Sequence, residues 1–470
     1  MSSERKFKHL YIPIEIKVRE FDAKLLFSLV AAERGFRVVL GGQKDLRTRV
    51  AWWPEGIYLD KSVADTKLKW FKYFRKFGHK VVAWDEEGLI IHPDSYLERR
   101  FSSDSFALVE KFFAWGDFHS KVILEKYGSD REKVVVVGNP RLDMLRPEFL
   151  SYQESESNKI AQEYGKTILI NTNFSFYNHI IDKEEGKRRF LRNHPEMTET
   201  FIENWIDYQK EIFQAFIDLL PALQANFPDY SVILRPHPAE NQDRWKTITA
   251  KQKNVHVVHK NNVTEWIQAA DVMIHSNCTT GVESFLLNVP CIAFQPVRSE
   301  QFDTYLPNAL SSCASNLEEV IELVGRSIEN GDQPTVTKEK LEEANTHIES
   351  INGQLSCEKI VHHLDLLDVE PTAAELGLSR KAARLVNEVI PFLKRELNLI
   401  RDQQVRSLSN SKRGKSSASE IKQQIHEQTI PDIMLGEIES GIVKFRACTQ
   451  KFESVSVQDL GKGCFEIISN

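Results

Sequence analysis

Short apolar strands and amphipathic helices alternate through the first third of the chain, and this alternation constrains the fold more than any other feature. "HLYIPIEI" reads as a strand, "AKLLFSLVAAERG" as a helix closed by Gly35, and "FRVVLGG" as a strand again. "GIYLD", the helical "TKLKWFKYFRKFG" and the strand "HKVVAWDEEG" follow. Then come the helical "RFSSDSFALVEKF", a short strand "FFAWGD", the helical "HSKVILEKYG" and the strand "EKVVVVGNPRLD". Strands of about five apolar residues separated by helices imply a parallel sheet covered on both faces.

A second series begins near residue 166 with "KTILINTNFSF". Residues 198–226 read as one long helix, followed by strands in "SVILRPHPAE", "VHVVH", "DVMIHS" and "PCIAFQP" with helices between them. The expectation is α/β: two Rossmann-like domains, residues 1–150 and 160–366, each with its own parallel sheet, facing a central cleft. The polar stretch "RPEFLSYQESESNK" reads as the linker between them, and residues 338–366 as helical. Beyond Pro371 the character changes. Residues 370–470 read as a helical and mixed extension. Within it lie a basic amphipathic helix kinked at Pro391, a mobile polar linker over 403–420, and a tail with strands such as "GIVKF" and "CFEIIS".

Composition narrows the class. A chain of 470 residues is too long for one ordinary core. A net charge of -6 argues against a dedicated nucleic-acid binder. Cys278, Cys291, Cys313, Cys357, Cys448 and Cys464 are scattered with no CxxC pair, so neither a zinc site nor a disulfide framework is expected. "MSSERKFKHLYIPIEI" lacks the apolar core of a signal peptide, and no apolar run approaches the ~20 residues of a membrane span. A cytoplasmic protein is expected, with the basic helix over residues 380–396 a candidate contact for the inner face of the plasma membrane or a packing element on the second domain.

In open α/β sheets ligands bind beyond the carboxyl ends of the strands, so polar clusters there are the candidate site. The richest is "HSNCTTGVES". His275, Ser276, Asn277, Thr279, Thr280 and Gly281 lie between a buried strand and a helix, with Glu283 one turn further on. Hydroxyls and free backbone N–H groups suit a phosphate. The alternative is that Thr279 simply caps the helix. "RPHP" follows another strand: Arg235 brings a permanent cation, His237 a hydrogen-bond donor or acid, and Glu240 closes the loop. Here the alternative is a rigid turn with an exposed histidine.

After the first strand, Glu15, Lys17, Arg19 and Glu20 suit an anionic sugar or acceptor, or form a solvated loop of ion pairs. Asp85, Glu86 and Glu87 end another strand and are candidate general bases or nucleophiles, against the alternative of a solvated acidic turn. Asn139, Arg141, Asn171 and Asn173 occupy two further strand-end loops and are candidates for the same cleft. No GxGxxG follows the first strand, which argues against a dinucleotide dehydrogenase. "RGKSS" is not a Walker loop, because Ser409 stands where the first glycine is required and no strand precedes it. There is no DxD metal motif.

Two Rossmann-like domains with the richest polar loops in the second resemble the GT-B glycosyltransferases. "IPIEIKVREFDAKLL", "GIYLDKS", "GHKVVAWDEEG", "FFAWGDFHSK", "GNPRLD", "ILINTNF", "RPHPAE" and "GQLSCEKIV" resemble the bacterial surface carbohydrate biosynthesis protein family over residues 8–365. The HP loop followed by a Ser/Thr-rich helix start is also similar to the CMP-sugar transferases, including sialyltransferases and capsule Kdo transferases. That resemblance implies that His237 and Ser276 contact the CMP phosphate, with Thr279 and Thr280 beside them. It also implies that Arg19, Lys17 or Arg235 meets the sugar carboxylate. The implied activity is metal-independent transfer of a sugar, Kdo or a related nonulosonate, from a CMP-linked donor to a polysaccharide or lipid-linked acceptor, with no separate cofactor. A nucleotide-sugar epimerase of the same fold and a non-catalytic scaffold are the alternatives.

Overall fold

The computed structural model describes residues 6–181, 183–193, 197–329, 336–372, 381–382, 385 and 433–470. The first sheet is built on β1 (Lys8–Ile14), β2 (Phe36–Gly42), β3 (Gly56–Asp60), β4 (Lys80–Trp84), β5 (Lys111–Ala114) and β6 (Val134–Val136), all mutually parallel. Along β1, Leu10, Ile12 and Ile14 pack into a core on one face while Tyr11 packs into a second core on the other. Burial on both faces is why the strand sequences are continuous apolar runs and not alternating ones.

The second sheet holds β7 (Thr167–Asn171), β8 (Ser231–Arg235), β9 (Val255–Val257), β10 (Val272–His275), β11 (Cys291–Phe294) and β12 (Ser312–Ala314), again all parallel. Its order is β12-β11-β10-β7-β8-β9. The chain therefore reverses direction across the sheet between β7 and β10. In the first sheet the reversal falls between β1 and β3, for β1 pairs with β2 on one side and with β3 on the other. Loops diverge at such switch points and leave a crevice at the carboxyl ends. These two doubly wound parallel sheets are the two Rossmann-like units that the sequence led us to expect.

Three expectations need correction. The polar stretch after Arg146 is not an open linker but a helix, Leu150–Tyr164, which buries Tyr152, Gln153, Ser157 and Ile160. Its apolar stripe is too thin to stand out among Glu, Ser and Asn. Residues 338–366 form two helices, Lys338–His347 and Ser356–Asp365, with irregular chain between them. "GIVKF" is not a strand: it lies inside the helix Leu435–Thr449, where Ile438, Gly441, Ile442 and Phe445 recur at helical spacing and are buried.

The C-terminal residues are also not a separate unit. The strands β13 (Val455–Asp459) and β14 (Cys464–Ser469) form a hairpin, and β14 pairs antiparallel with β2, extending the first sheet to eight strands. The helix Leu435–Thr449 packs on the helix Lys17–Glu33. A Cβ on Gly441 would stand 2.4 Å from Leu25 Cδ2, so glycine sets how closely the two helices approach. The helix Ser356–Asp365 returns from the second domain and buries Cys357, Ile360 and Leu364 in the first domain's core. The linker over 403–420 lies outside the described residues, as does the basic helix over 380–396 apart from residues 381, 382 and 385.

Candidate functional site

Above the second sheet, the loop after β8 is held by a buried carboxylate. Glu240 accepts from Thr172 Oγ1 at 2.7 Å, Trp245 Nε1 at 2.9 Å, Phe174 N at 3.0 Å, His237 N at 3.1 Å and Asn178 Nδ2 at 3.2 Å. Its oxygens are spent on protein donors, so the expected nucleotide-binding role of Glu240 is corrected to an anchor of the loop. His237 stands at the open edge of that loop, and its Nδ1 accepts from Ala239 N at 3.2 Å. His179 repeats the device: its Nδ1 accepts from Ile181 N at 2.8 Å. Each neutral ring therefore carries its proton on Nε2, as a donor. Desolvation of the ring within the cleft holds His237 down at about 4 against the pull of Glu87, with His179, Arg19 and Arg235 adding to the depression. Burial, then Arg189, lowers His179 too.

The stretch after β10 divides into scaffold and surface. His275 is fully buried, with Nδ1 accepting from Cys278 N at 3.3 Å and Nε2 2.9 Å from Ser311 Oγ. Asn277, at φ +52, bonds Tyr208 Oη and Asn308 Nδ2, each at 2.7 Å, and Thr304 N at 3.0 Å. Gly281 admits the His275 ring, for a Cβ there would lie 2.6 Å from Nε2. His275, Asn277 and Gly281 are thus corrected from ligand contacts to parts of the turn's frame, because their polar atoms and free space are taken up by protein. Thr279 does not cap its helix through its side chain and is exposed, so simple capping does not explain it. Thr280 is buried beside the Cys278 thiol. Ser276 is buried, and its hydroxyl makes no hydrogen bond to a described residue.

Facing these from the first sheet, the helix Lys17–Glu33 begins with no side-chain cap at Ile16. Glu20 substitutes, accepting from Glu15 N at 3.0 Å and Ile16 N at 3.2 Å. One turn on, Lys24 Nζ lies 2.7 Å from Glu20 Oε2, 3.1 Å from Glu86 Oε1 and 2.8 Å from the Pro13 carbonyl. Lys24, Glu20 and Glu86 are all buried. Burial opposes the charge on Glu86, but Lys24 and then Arg141 outweigh it and hold the group at about 2. Burial raises Glu20, with Lys24 pulling the other way. Glu86 Oε2 has no hydrogen-bond partner among the described residues.

Several neighbours are occupied elsewhere. Asp85 is clamped by Arg100 at 2.8 and 2.5 Å and accepts from Glu87 N, so its expected catalytic role is corrected to a structural pair. Lys17 reaches Glu437 of the C-terminal helix at 2.6 Å, and Glu15 pairs with Lys61. Glu20 is likewise a buried cap and not an exposed acceptor contact. Asn139 caps the turn that carries Arg141, accepting from its N–H at 3.0 Å. Asn171 lies within the sheet against Met273 Sδ, and Asn173 contributes its carbonyl to Gln209.

What remains converges across the cleft. Arg141 donates to the Glu86 carbonyl at 3.2 Å and reaches Glu283 at 3.4 Å. Burial raises Glu283, against the combined pull of Arg141, Arg235 and Arg19. Arg19 also pairs with Glu87 at 2.5 Å. Arg235 holds the Asn261 carbonyl at 2.8 Å, while its Nε has no partner among the described residues. The assembled candidate site is Arg19, Glu86, Glu87 and Arg141 from one side and Arg235, His237, Ser276 and Glu283 from the other. Lys24 and His179 were missed. Lys24 was visible as the lone charge in "AKLLFSLVAA", one helical turn after Glu20; His179 had no comparable signal. Among the described residues, no group of His, Cys, Asp or Glu is arranged to hold a metal ion.

No family model and no curated protein matches the sequence. Among solved structures, the wall teichoic acid polymerase TagF is similar at 10% identity and a TM-score of 0.47, covering 76% of this chain and 87% of that one. The UDP-GlcNAc 2-epimerase of Methanocaldococcus jannaschii is similar at 14% identity and a TM-score of 0.48, covering 76% and 99%. That of Neisseria meningitidis is similar at 13% identity and a TM-score of 0.45, covering 77% and 100%. These likenesses concern the course of the backbone and carry nothing about chemistry.

Proposed function

We propose that the chain is a GT-B glycosyltransferase that takes a nucleotide sugar in the cleft between its two sheets. The observation that carries this reading is the meeting of Arg19 and Arg141 from one domain with Arg235 from the other around Glu283. Guanidinium groups drawn from both sides suit an anionic ligand that bridges the domains, as a sugar phosphate does. The Nε2–H of His237 and the unengaged hydroxyl of Ser276 add neutral donors for phosphate oxygens. As the leaving phosphate gains charge, these groups stabilise it.

On the first-sheet side, Lys24 and then Arg141 hold Glu86 as a carboxylate. It is the best-placed group to take a proton from an acceptor hydroxyl or to attack the anomeric carbon. For the donor we propose a CMP-linked nonulosonate such as CMP-Kdo, and for the acceptor a bacterial surface glycan or glycolipid. The motif resemblance to surface carbohydrate proteins and CMP-sugar transferases supports that choice. The thermal shift with CMP, UDP, GDP and CDP tests it. Stabilisation by CMP above the others is expected; a preference for UDP or GDP overturns the donor, and no response to any of them overturns the nucleotide-sugar reading.

The buried Glu20–Lys24–Glu86 group favours one second reading, a nucleotide-sugar epimerase. Acid–base chemistry on the sugar ring needs no acceptor. Conversion of the nucleotide sugar when no acceptor is added distinguishes the two.

A further inference from the structure

The helix Leu68–Lys76 leads from β3 towards β4 and buries Phe71 and Phe74 in the first domain's core. Its remaining positions carry Lys69, Lys72, Arg75 and Lys76, and it contains no acidic residue. Arg75 is paired with Glu110 at 3.2 Å, so the charge this helix presents is carried by Lys69 and Lys72. Lys69 and Lys72 are exposed and form no ion pair with a described residue. Between them Trp70 is only partly buried, with the Lys69 ammonium 5.3 Å from its ring centroid. Tyr73 is partly buried too, 6.1 Å from Trp70, and it shares a small apolar cluster with Trp52 of the preceding turn. Arg47 stands 5.3 Å over Trp70 and pairs with Asp60, the last residue of β3, at 3.2 Å.

Half-buried tryptophan and tyrosine beside the exposed ammonium groups of Lys69 and Lys72 match the chemistry of a bilayer interface. There aromatic rings settle at headgroup level and ammonium groups meet lipid phosphates. We propose that this face of the first domain is a peripheral docking surface for an anionic phospholipid bilayer. It is not an insertion device, because Phe71 and Phe74 are already committed to the core. The contact rests on charge with an aromatic fringe, and salt reverses it. Arg47 ties the patch to the carboxyl end of β3, so docking brings the first-sheet rim of the cleft to the headgroups. The inference does not depend on which reaction the cleft performs.

Cosedimentation of the full-length protein with vesicles tests it, using phosphatidylcholine alone and phosphatidylcholine with about 30 mol% phosphatidylglycerol. The expected result is binding to the anionic vesicles only, weakened about tenfold or more when salt is raised to about 0.5 M. The double variant Lys69→Glu/Lys72→Glu should lose binding at an unchanged melting temperature, and Lys69→Arg/Lys72→Arg should keep it. Equal binding to neutral vesicles, no binding to anionic ones, or full binding by the glutamate variant overturns the proposal. So does tighter binding to a duplex RNA than to anionic vesicles.

Discussion

Arg141 Nη2 lies 3.4 Å from Glu283 Oε1, and the pair joins a loop of the first sheet to a helix of the second. The side chains retain only 19% and 11% of their exposure. Arg141→Ala should therefore weaken binding of the stabilising nucleotide by about 10- to 100-fold, the cost of a charged hydrogen bond. Arg141→Lys should recover part of this, since it restores the charge without the fork. Isothermal titration of both variants checks the order; equal affinity for wild type and Arg141→Ala removes Arg141 from the site.

Lys24 neutralises two buried carboxylates at once. Lys24→Met leaves Glu20 and Glu86 facing each other and should cost about 3–5 kcal/mol at neutral pH. Glu86 is held at about 2 in the folded protein, below its unfolded value near 4.3. Its stabilisation is thus complete above the unfolded value and is lost as pH falls through the folded one. Without Lys24 the sign inverts: the buried carboxylates prefer to be protonated, and the variant should gain stability relative to wild type as pH is lowered towards about 5. Denaturant melts at the two pH values measure this, and a pH-independent difference between the proteins contradicts it.

For Glu240, the five donors around its carboxylate predict a structural phenotype. Glu240→Gln turns one acceptor into an NH2 group facing donors and should lower stability by about 2–4 kcal/mol. Where the folded variant survives, nucleotide affinity should change less than stability does. A variant of wild-type stability that no longer binds nucleotide would restore Glu240 to the ligand.

His237→Ala and Ser276→Ala should lose most turnover while melting near the wild-type temperature, since His237 is exposed and the Ser276 hydroxyl makes no hydrogen bond to a described residue. Because His237 is held down at about 4, the folded protein keeps it neutral, and nucleotide affinity should stay flat between about pH 6 and 8 as far as this residue decides it. A break in affinity near pH 6.5 that vanishes in His237→Ala would show instead that the ring titrates at its ordinary value. Full turnover in both variants removes these residues from the chemistry.

Much of this was legible in the sequence, for a physical reason. Strands such as "KTILI" and "SVIL" are buried on both faces, so they are written as unbroken apolar runs, and their polar successors mark the carboxyl edge. That rule located Arg19, Glu86, Arg141, His237 and Ser276. It did not tell contacts from supports. Glu240 and His237 stand in one loop, and Asn277 and Ser276 are adjacent. Which of them turns inward depends on partners such as Trp245, Tyr208 and Asn308, which are far away in sequence. The helix Leu150–Tyr164 was hidden by its polar surface. The helix around "GIVKF" was hidden by β-branched residues whose local preference yields to packing on Leu25.

The hairpin β13–β14 gives the first domain a seam between its two ends. Arg37 on β2 and Glu466 on β14 are ion-paired across a separation of 429 residues. During synthesis the ribosome delivers β2 before the second domain and β14 after it, so the edge of the first sheet waits uncovered while the whole second domain is made. Cotranslational folding therefore cannot simply proceed domain by domain along the chain: the first domain is begun before the second and completed after it.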